Sequence, residues 1–228
     1  MKRAGRGRRG WRGGKRRRGR GRAARGALAR TARDLISWQG GDGGWGYGAR
    51  MTRSDASNTQ YALLGIRAAV MAGGRISRGR LVRAARYLLQ TRGDEGGFSY
   101  TSRRSAPRDT MTAGTLGSLE ICRELAGRAG LGRGLEKKIE AASRLGVWWL
   151  ERRFEASLGG RRRVVSMHRG YFLYALERAM ILKGLEKLGR HAWYRLGAGY
   201  LVRLQEEDGS WNGDAVTTAF AVLFLGRT

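Results

Sequence analysis

The sequence predicts an all-α protein built from repeated helix pairs. Three observations predict this class: stretches of helical periodicity fill the chain from residue 26 onward, strand-like alternation never lasts more than a few residues, and a Gly-rich seven-residue pattern recurs. The pattern is Gln-x-x-x-Gly-x-aromatic, and its copies are Gln39–Trp45, Arg92–Phe98 and Gln205–Trp211, with Arg92 in the glutamine place. Each copy follows one predicted helix and precedes another, which predicts a turn between the two members of a pair.

The predicted helices alternate between two kinds. In chain order they cover residues 27–38, 57–71, 79–91, 110–125, 135–154, 171–188, 193–204 and 215–225. The first member of each pair has a charged back, as in the helix over 79–91, where Leu81 and Leu88 point inward and Arg83 and Arg86 point outward. The second member is more apolar and must be enclosed by neighbours. We therefore expect two layers, with outer helices around inner ones.

The second predicted helix shows how these elements begin. Asp55 and Ser57 precede or open it and are candidate N-terminal caps. Along the helix, one apolar face is predicted to carry Tyr61, Leu64, Ala68 and Met71.

The repeat has a fixed register in its first half. Each of the pairs Gln39 and Arg92, Trp45 and Phe98, and Thr59 and Thr112 is separated by 53 positions. A degenerate third unit is centred on residues 149–154, and Arg161–Arg163 replace its turn. The chain is thus predicted to hold four outer and inner helix pairs, because a period of this size is typical of a repeat architecture.

The residues that define the turns are predicted to be structural. The aromatic ring of each turn is expected to cover the glutamine amide, which can bond exposed groups at a helix end. We assign this role to the following positions: Gln39, Gly43, Trp45, Arg92, Gly96, Phe98, Gln205, Gly209 and Trp211.

Charge divides the chain into an arm and a body. The sequence has 46 Lys and Arg against 18 Asp and Glu, and residues 1–25 contain 13 basic and no acidic side chains. An Arg/Gly-rich segment cannot bury a core, so residues 1–25 are predicted to be a disordered arm and 26–228 the helical repeat domain. Such an arm favours nucleic acid or an anionic surface. Two alternatives stay open: arginine and glycine enrichment from a GC-rich genome, and a start codon placed too far upstream.

Other sequence features exclude several classes of protein. The single cysteine, Cys122, excludes a disulfide framework and is predicted to be a small buried hydrophobe. An apolar run of the ~20 residues that span a bilayer is not found in the sequence, and the basic opening is not followed by an apolar signal core. The expected location is therefore cytoplasmic by default.

The turns resemble a known family. Gln39–Trp45 and Gln205–Trp211 are similar to the glutamine–tryptophan repeats of squalene-hopene and oxidosqualene cyclases, which share an α/α toroid with protein prenyltransferase β subunits. The phrases Ser57–Leu63 and Tyr200–Gln205 are also typical of bacterial proteins with such repeats. This resemblance covers about residues 26–228 and implies an incomplete α/α toroid. A complete toroid of this family has six helix pairs, so four imply an open arc, a fragment, or a ring completed by self-association with another chain.

The catalytic motifs of the resembled family are not found in the sequence. The Asp-x-Asp-Asp acid of the cyclases, the Asp-Asp-x-x-Asp magnesium motif and the Asp-x-Cys zinc pair are all missing. Only an improvised zinc site from Cys122 and His168 could be assembled. The sequence therefore predicts no catalytic residue, no metal and no cofactor.

A candidate ligand pocket remains at the starts of the inner helices. Polar and aromatic residues cluster there, as apolar binding pockets require; the alternative is that the polar ones are helix caps and the rings are core. The candidates are Asp55, Asn58, Tyr61, Asp109, Thr112, His168, Tyr171, Tyr174, Asp214, Thr217 and Phe220. Three functions are weighed: a non-catalytic domain binding a hydrophobic molecule or polypeptide, an isoprenoid-processing enzyme, and a binder of nucleic acid or anionic surfaces.

Overall fold

The computed structural model describes residues 26–48, 53–158 and 164–227, which form helices connected by turns. The helices are α1 (26–37), α2 (Ala56–Met71), α3 (Arg78–Gln90), α4 (Asp109–Ala126), α5 (Arg128–Leu131), α6 (Arg133–Ser157), α7 (Met167–Lys183), α8 (Trp193–Arg203) and α9 (Ala215–Gly226). These ranges contain isolated β-bridges but no strand, which confirms the all-α prediction. Within them, no helix combines the length and apolar character needed to cross a membrane. The predicted arm, 1–25, and Arg161–Arg163 lie outside the described residues.

The largest boundary error concerns α7. The sequence predicts a helix over 171–188, whereas α7 begins at Met167 and ends at Lys183. Gly184 stops it by adopting a left-handed conformation with φ of 65°, which glycine reaches without steric cost. The chain then turns through a bridge between Leu188 and His191 before α8 begins.

Four helices, α2, α4, α7 and α9, form a central row. In this row α4 packs between α2 and α7, and α7 packs between α4 and α9. The other long helices flank the row, with α3 and α6 against α4 and α8 against α9. Twelve of the 18 residues of α4 are buried, because neighbours surround it. A Cβ at Gly117 would lie 3.4 Å from the Cα of Ala179, an ordinary van der Waals distance, so α4 and α7 are close neighbours there.

The apolar stripe predicted on α2 does not face the core. Tyr61 is 44% exposed and Met71 is 69% exposed, whereas Leu63 and Ile66 are fully buried. The buried face is the one that meets α4, so the stripe with Tyr61 is left on an open side of the central row. That exposure makes Tyr61 available for contacts other than packing.

Candidate functional site

The first turn ties a flanking helix to the central row through its tryptophan. The indole N–H of Trp45 donates to the carbonyl oxygen of Leu35, in the last turn of α1, at 2.6 Å. Its backbone N–H donates to Thr59 Oγ1, at the start of α2, at 3.0 Å. The ring is only 3% exposed. Trp45 therefore satisfies a helix-end carbonyl that would otherwise lack a partner.

The same bonds recur in the other turns. The backbone N–H of Phe98 donates to Thr112 Oγ1 at 2.9 Å, and that of Trp211 donates to Thr218 Oγ1 at 3.1 Å. The Trp211 indole N–H reaches the carbonyl oxygen of Leu201 at 2.9 Å. The phenylalanine side chain has no N–H group, so the middle turn lacks the side-chain bond to the preceding helix end. The repeat read from the sequence is thus also a repeat of hydrogen bonds.

The side chain of Gln39 connects the first turn to α3, the flanking helix that follows, and not to the end of α1. Its amide N–H groups donate to the carbonyl oxygens of Gly43 at 2.8 Å and of Arg80, in α3, at 2.9 Å. Its amide oxygen accepts from Arg83 at 2.9 Å. Gly43, with φ of 97°, permits this contact, since a Cβ there would lie 2.5 Å from the carbonyl oxygen of Arg83. The turn is therefore a docking point for α3.

Four predicted pocket residues meet in one aromatic cluster: Tyr61 on α2, Tyr171 and Tyr174 on α7, and Phe220 on α9. Tyr61 stacks on Tyr171 with ring centroids 5.9 Å apart. Phe220 lies 5.6 Å from Tyr171 and 5.5 Å from Tyr174. Aromatic rings at these separations stabilise one another by more than the burial of their apolar surface alone would give. We call these four residues the aromatic cluster.

Gln60, which the sequence reasoning missed, anchors the aromatic cluster. The Tyr171 hydroxyl donates to Gln60 Oε1 at 2.5 Å, and Gln60 is only 2% exposed. Gly170 allows α9 to approach, because a Cβ there would lie 3.2 Å from the Cβ of Phe220. The available signal was weak, because Gln60 directly follows the polar residues Asn58 and Thr59 and so looks like part of an exposed first turn. Its burial gives the amide its importance, since a buried amide needs a partner.

The aromatic cluster carries no charge at neutral pH. Burial, with a smaller contribution from Tyr174, raises the pKa of Tyr61 to about 12. Burial raises the pKa of Tyr171 further, and neighbouring phenols and Asp55 add to the effect. All three phenols therefore stay protonated, so the cluster offers apolar rings with hydroxyl groups.

Several other candidates are helix caps. Asp55 accepts from the backbone N–H of Asn58 at 2.8 Å and from its side-chain amide at 2.7 Å. Asp214 accepts from the backbone N–H of Thr217 at 2.7 Å. Side-chain oxygens at these positions satisfy N–H groups in the first turn of a helix. Asp55 and Asn58 thus form the start of α2, and Asp214 and Thr217 form the start of α9. Thr112 accepts the backbone N–H of Phe98 in the middle turn.

Asp109 and His168 lie elsewhere, in a groove of about 370 Å³. It is bounded by the start of α4, the end of α6 and the start of α7, and Trp149 forms part of its wall. Cys122 lies near the other end of α4 and is fully buried, and burial raises its pKa to about 12. Cys122 and Asp109 are separated by 13 positions, or roughly 20 Å of helix. The structure therefore separates the improvised zinc pair.

Glu177 is a buried carboxyl group that the sequence reasoning did not single out. It is 0% exposed and lies 2.6 Å from the Nε of Arg178. Burial raises the pKa of Glu177 to about 7, although Arg178 and Arg227 act in the opposite direction. Burial thus favours the protonated form of this carboxyl group, whereas Arg178 favours the charged form. Its sequence neighbours gave no sign of this, because burial depends on tertiary packing.

Ion pairs fill the far end of the central row. A cavity of about 650 Å³ is lined there by Arg67, Arg123 and Lys183 together with glutamates. Arg67 pairs with Glu124, and Lys183 pairs with Glu120, each at 2.7 Å. Arg123 pairs with Glu120 and Glu136. These cations are compensated locally, so the cavity does not present an uncompensated anion site.

The part of the chain that the structure describes holds no group of three or more His, Cys, Asp or Glu residues placed to bind a metal ion. Comparison with known proteins adds no further assignment, since no protein-family model matches the chain and no curated protein matches it significantly.

Proposed function

We propose that the four helix pairs form an incomplete α/α toroid, with the central row as its inner layer. Two observations support this arrangement. The second members of the pairs pack on one another in chain order, α2, α4, α7 and α9. The turns repeat the same hydrogen bonds from a backbone N–H to a threonine at the start of the next helix. Repeats that contact mainly their neighbours build curved arrays of this kind.

The function that this geometry supports best is non-catalytic binding of an apolar ligand, either a hydrophobic small molecule or an apolar polypeptide segment. The observation that carries it is the aromatic cluster. Its rings come from three helices of the central row, Tyr61 remains 44% exposed, and the phenols are uncharged. Aromatic walls with a few polar groups are the usual lining of sites for such ligands.

Glu177 supports the non-catalytic reading. It lies on the same helix as Tyr171 and Tyr174. Burial raises the pKa of Tyr174, Arg178 acts in the opposite direction, and Glu177 adds a small increase. A carboxyl group with a pKa near 7 suits general acid catalysis, but Glu177 is 0% exposed. A ligand stacked on the aromatic cluster would therefore not touch it. We assign Glu177 to packing rather than to chemistry.

The test is fluorescence titration with N-phenyl-1-naphthylamine. This probe is uncharged, so the net charge of +28 does not attract it. We expect saturable binding by the wild-type chain and a dissociation constant about fivefold higher for Tyr61→Ala and Phe220→Ala, because each ring is a stacking surface worth ~1 kcal/mol.

A matched control is Trp148→Ala on α6. Trp148 is 46% exposed, close to the exposure of Tyr61, but it lies on a flanking helix under Arg152. Its removal should leave probe binding unchanged. Equal losses in Trp148→Ala and Tyr61→Ala would show that the probe binds any exposed ring, and the proposed site would be wrong.

Charge favours a second candidate, binding of nucleic acid or another polyanion. The net charge is +28, and residues 1–25 supply 13 of the 46 basic side chains. Neutralising phosphates releases counterions, so affinity should fall steeply with salt. We expect the deletion of residues 1–25 to flatten the plot of log affinity for single-stranded RNA against log salt. An unchanged slope would move that activity to the helical body.

A further inference from the structure

The last turn lacks the contacts that bury the first one. Gln39 is 9% exposed, because α3 covers it and bonds both ends of its amide. Gln205 holds the same place in the last turn, but it is exposed and its amide donates to Gly209 of its own turn. Among the described residues, no flanking helix follows α9 to cover Gln205.

The turn glycines show the same difference. A Cβ at Gly43 would lie 2.5 Å from Arg83 of α3, and one at Gly96 would lie 2.8 Å from Leu145 of α6. At Gly209 the nearest atom would be 3.9 Å away, and it belongs to Gln205 of the same turn. The first two turns are therefore docked on the following flanking helix, whereas the third presents the same surface to solvent.

The face of α9 is open at the same edge. Asp55 and Asp214 cap their helices in the same way and are 159 positions apart, which is three periods of 53. In this register Val222 corresponds to Leu63, and Val222 is 56% exposed whereas Leu63 is fully buried in the core. Residues 215–226 include no charged side chain. This edge is therefore an apolar packing face without a partner in the described chain.

The opposite edge of the molecule offers a matching helix. With the period of 53, the positions of α3 that dock on the first turn correspond to positions of α1. Arg83 corresponds to Arg30 and Tyr87 to Asp34, and both α1 residues are exposed. Arg83 donates to the amide oxygen of Gln39, so Arg30 of a second copy could donate to that of Gln205 in the same way.

The sizes of two facing residues favour α1 as the partner of the last turn. In the first two turns a glycine faces an aromatic ring, whereas in the last turn a larger residue would face a smaller one. Tyr87 lies so close to Gly44 that a Cβ there would be 2.7 Å from its ring, and Trp149 crowds Gly97 equally. The last turn has Ser210 in this place, which excludes an aromatic ring. Asp34, the α1 counterpart of Tyr87, is small enough to lie beside Ser210, whose hydroxyl donates to Glu206 Oε2 within the turn at 3.3 Å.

Charge also favours this pairing. The last turn carries the acidic run Glu206, Glu207 and Asp208, and all three side chains are exposed. The exposed surface of α1 carries Arg30 and Arg33. Opposite charges at an interface accelerate association and suppress wrong registers. In the proposed contact the acidic run of one copy therefore meets two arginines of α1, which outweigh the single acidic side chain of Asp34.

We propose that the chain self-associates head to tail. The last turn and α9 of one copy would bind α1 and α2 of a second copy, which repeats the contact between the first turn and α3. Because the two surfaces differ, the contact is heterologous and produces a closed ring or an open array, according to the rotation between copies. This inference is independent of the proposed apolar ligand.

The test is sedimentation velocity of the full chain after nuclease treatment and removal of bound nucleic acid. Wild type should show a mass that rises between about 1 and 200 μM, a range that covers transient homomeric contacts. Val222→Glu on the α9 edge and Arg30→Glu on the α1 edge should each raise the dissociation constant at least about tenfold. Arg86→Glu on α3 is the control, since Arg86 is exposed and lies at neither edge.

Mixing the two defective variants is decisive. The Arg30→Glu variant keeps its α9 edge and the Val222→Glu variant keeps its α1 edge, so the mixture should form one-to-one dimers and nothing larger. Wild type that stays monomeric over the whole range would overturn the proposal. So would association of Arg30→Glu alone at wild-type strength, since that would indicate contact between two α9 edges.

Discussion

Replacing Gly43 and Gly209 by alanine separates two roles of the turn glycine. Both have positive φ, 97° and 82°, so alanine strains the backbone at either position, at a cost of ~1–2 kcal/mol. Only Gly43 is also pressed against a neighbour, with 2.5 Å between its projected Cβ and the carbonyl oxygen of Arg83. The difference between the two variants therefore isolates the docking of α3.

The magnitude follows from that contact. Relief of the overlap requires α3 to move by about 1 Å, since nonbonded atoms prefer separations near 3.5 Å. Such a shift costs ~1–3 kcal/mol as overpacking. It also weakens the two hydrogen bonds between Gln39 and α3, both 2.9 Å long, at ~0.5–1.5 kcal/mol each. We expect Gly43→Ala to lose roughly 3–8 kcal/mol, if both hydrogen bonds are lost, and Gly209→Ala ~1–2 kcal/mol.

Urea unfolding followed by far-ultraviolet circular dichroism measures both losses. Dilute protein should be used, because self-association would add stability that depends on concentration. Equal destabilisation of the two variants would refute the reasoning, since it would mean that α3 does not dock on the first turn as described.

Two further predictions concern buried polar groups. Trp45→Phe should lower the free energy of unfolding by ~1–2 kcal/mol, because it leaves the Leu35 carbonyl oxygen without its indole donor. Trp45→Ala, which also removes the buried ring, should lower it by ~3–5 kcal/mol. A Trp45→Phe variant as stable as wild type would show that water replaces the indole. The pKa of Glu177 is raised by burial from 4.5 to about 7, so the folded state holds the extra proton, and this contribution to stability is complete below pH 4.5 and lost as pH rises through 7. Wild type should therefore lose roughly 2–4 kcal/mol of its free energy of unfolding between pH 4.5 and 8, and Glu177→Gln should not show this loss. Urea unfolding of wild type and Glu177→Gln at several pH values measures it, and parallel pH profiles would contradict the prediction.

The sequence predicted the elements of the fold well, because periodicity and glycine turns are local signals. The 53-residue spacing placed Trp45, Phe98 and the threonines that receive their backbone N–H groups in equivalent positions. The sequence-based prediction of helix boundaries was wrong where a single residue ends a helix, as Gly184 does for α7. It also misjudged α2, since helical periodicity shows that a stripe exists but not which stripe its neighbours cover.

The candidate site was predicted less completely. Eleven residues were predicted to line one pocket, and the structure brings four of them together: Tyr61, Tyr171, Tyr174 and Phe220. The polar candidates proved to be caps or to lie in a separate groove. Gln60 and Glu177 were missed because their roles depend on contacts with, or burial by, distant helices. A sequence shows which helix a residue is on, but not what that helix packs against.

The most direct test of the proposed binding surface is a nuclear magnetic resonance titration of protein labelled with ¹³C in its tyrosine rings. The chain has eight tyrosines, and farnesol is a suitable uncharged apolar ligand. If farnesol binds the aromatic cluster, the ring signals of Tyr61, Tyr171 and Tyr174 should shift on titration, while those of Tyr194 and Tyr200, on the flanking helix α8, should not. Shifts confined to Tyr194 and Tyr200, or no shift at saturating farnesol, would contradict the proposed binding surface.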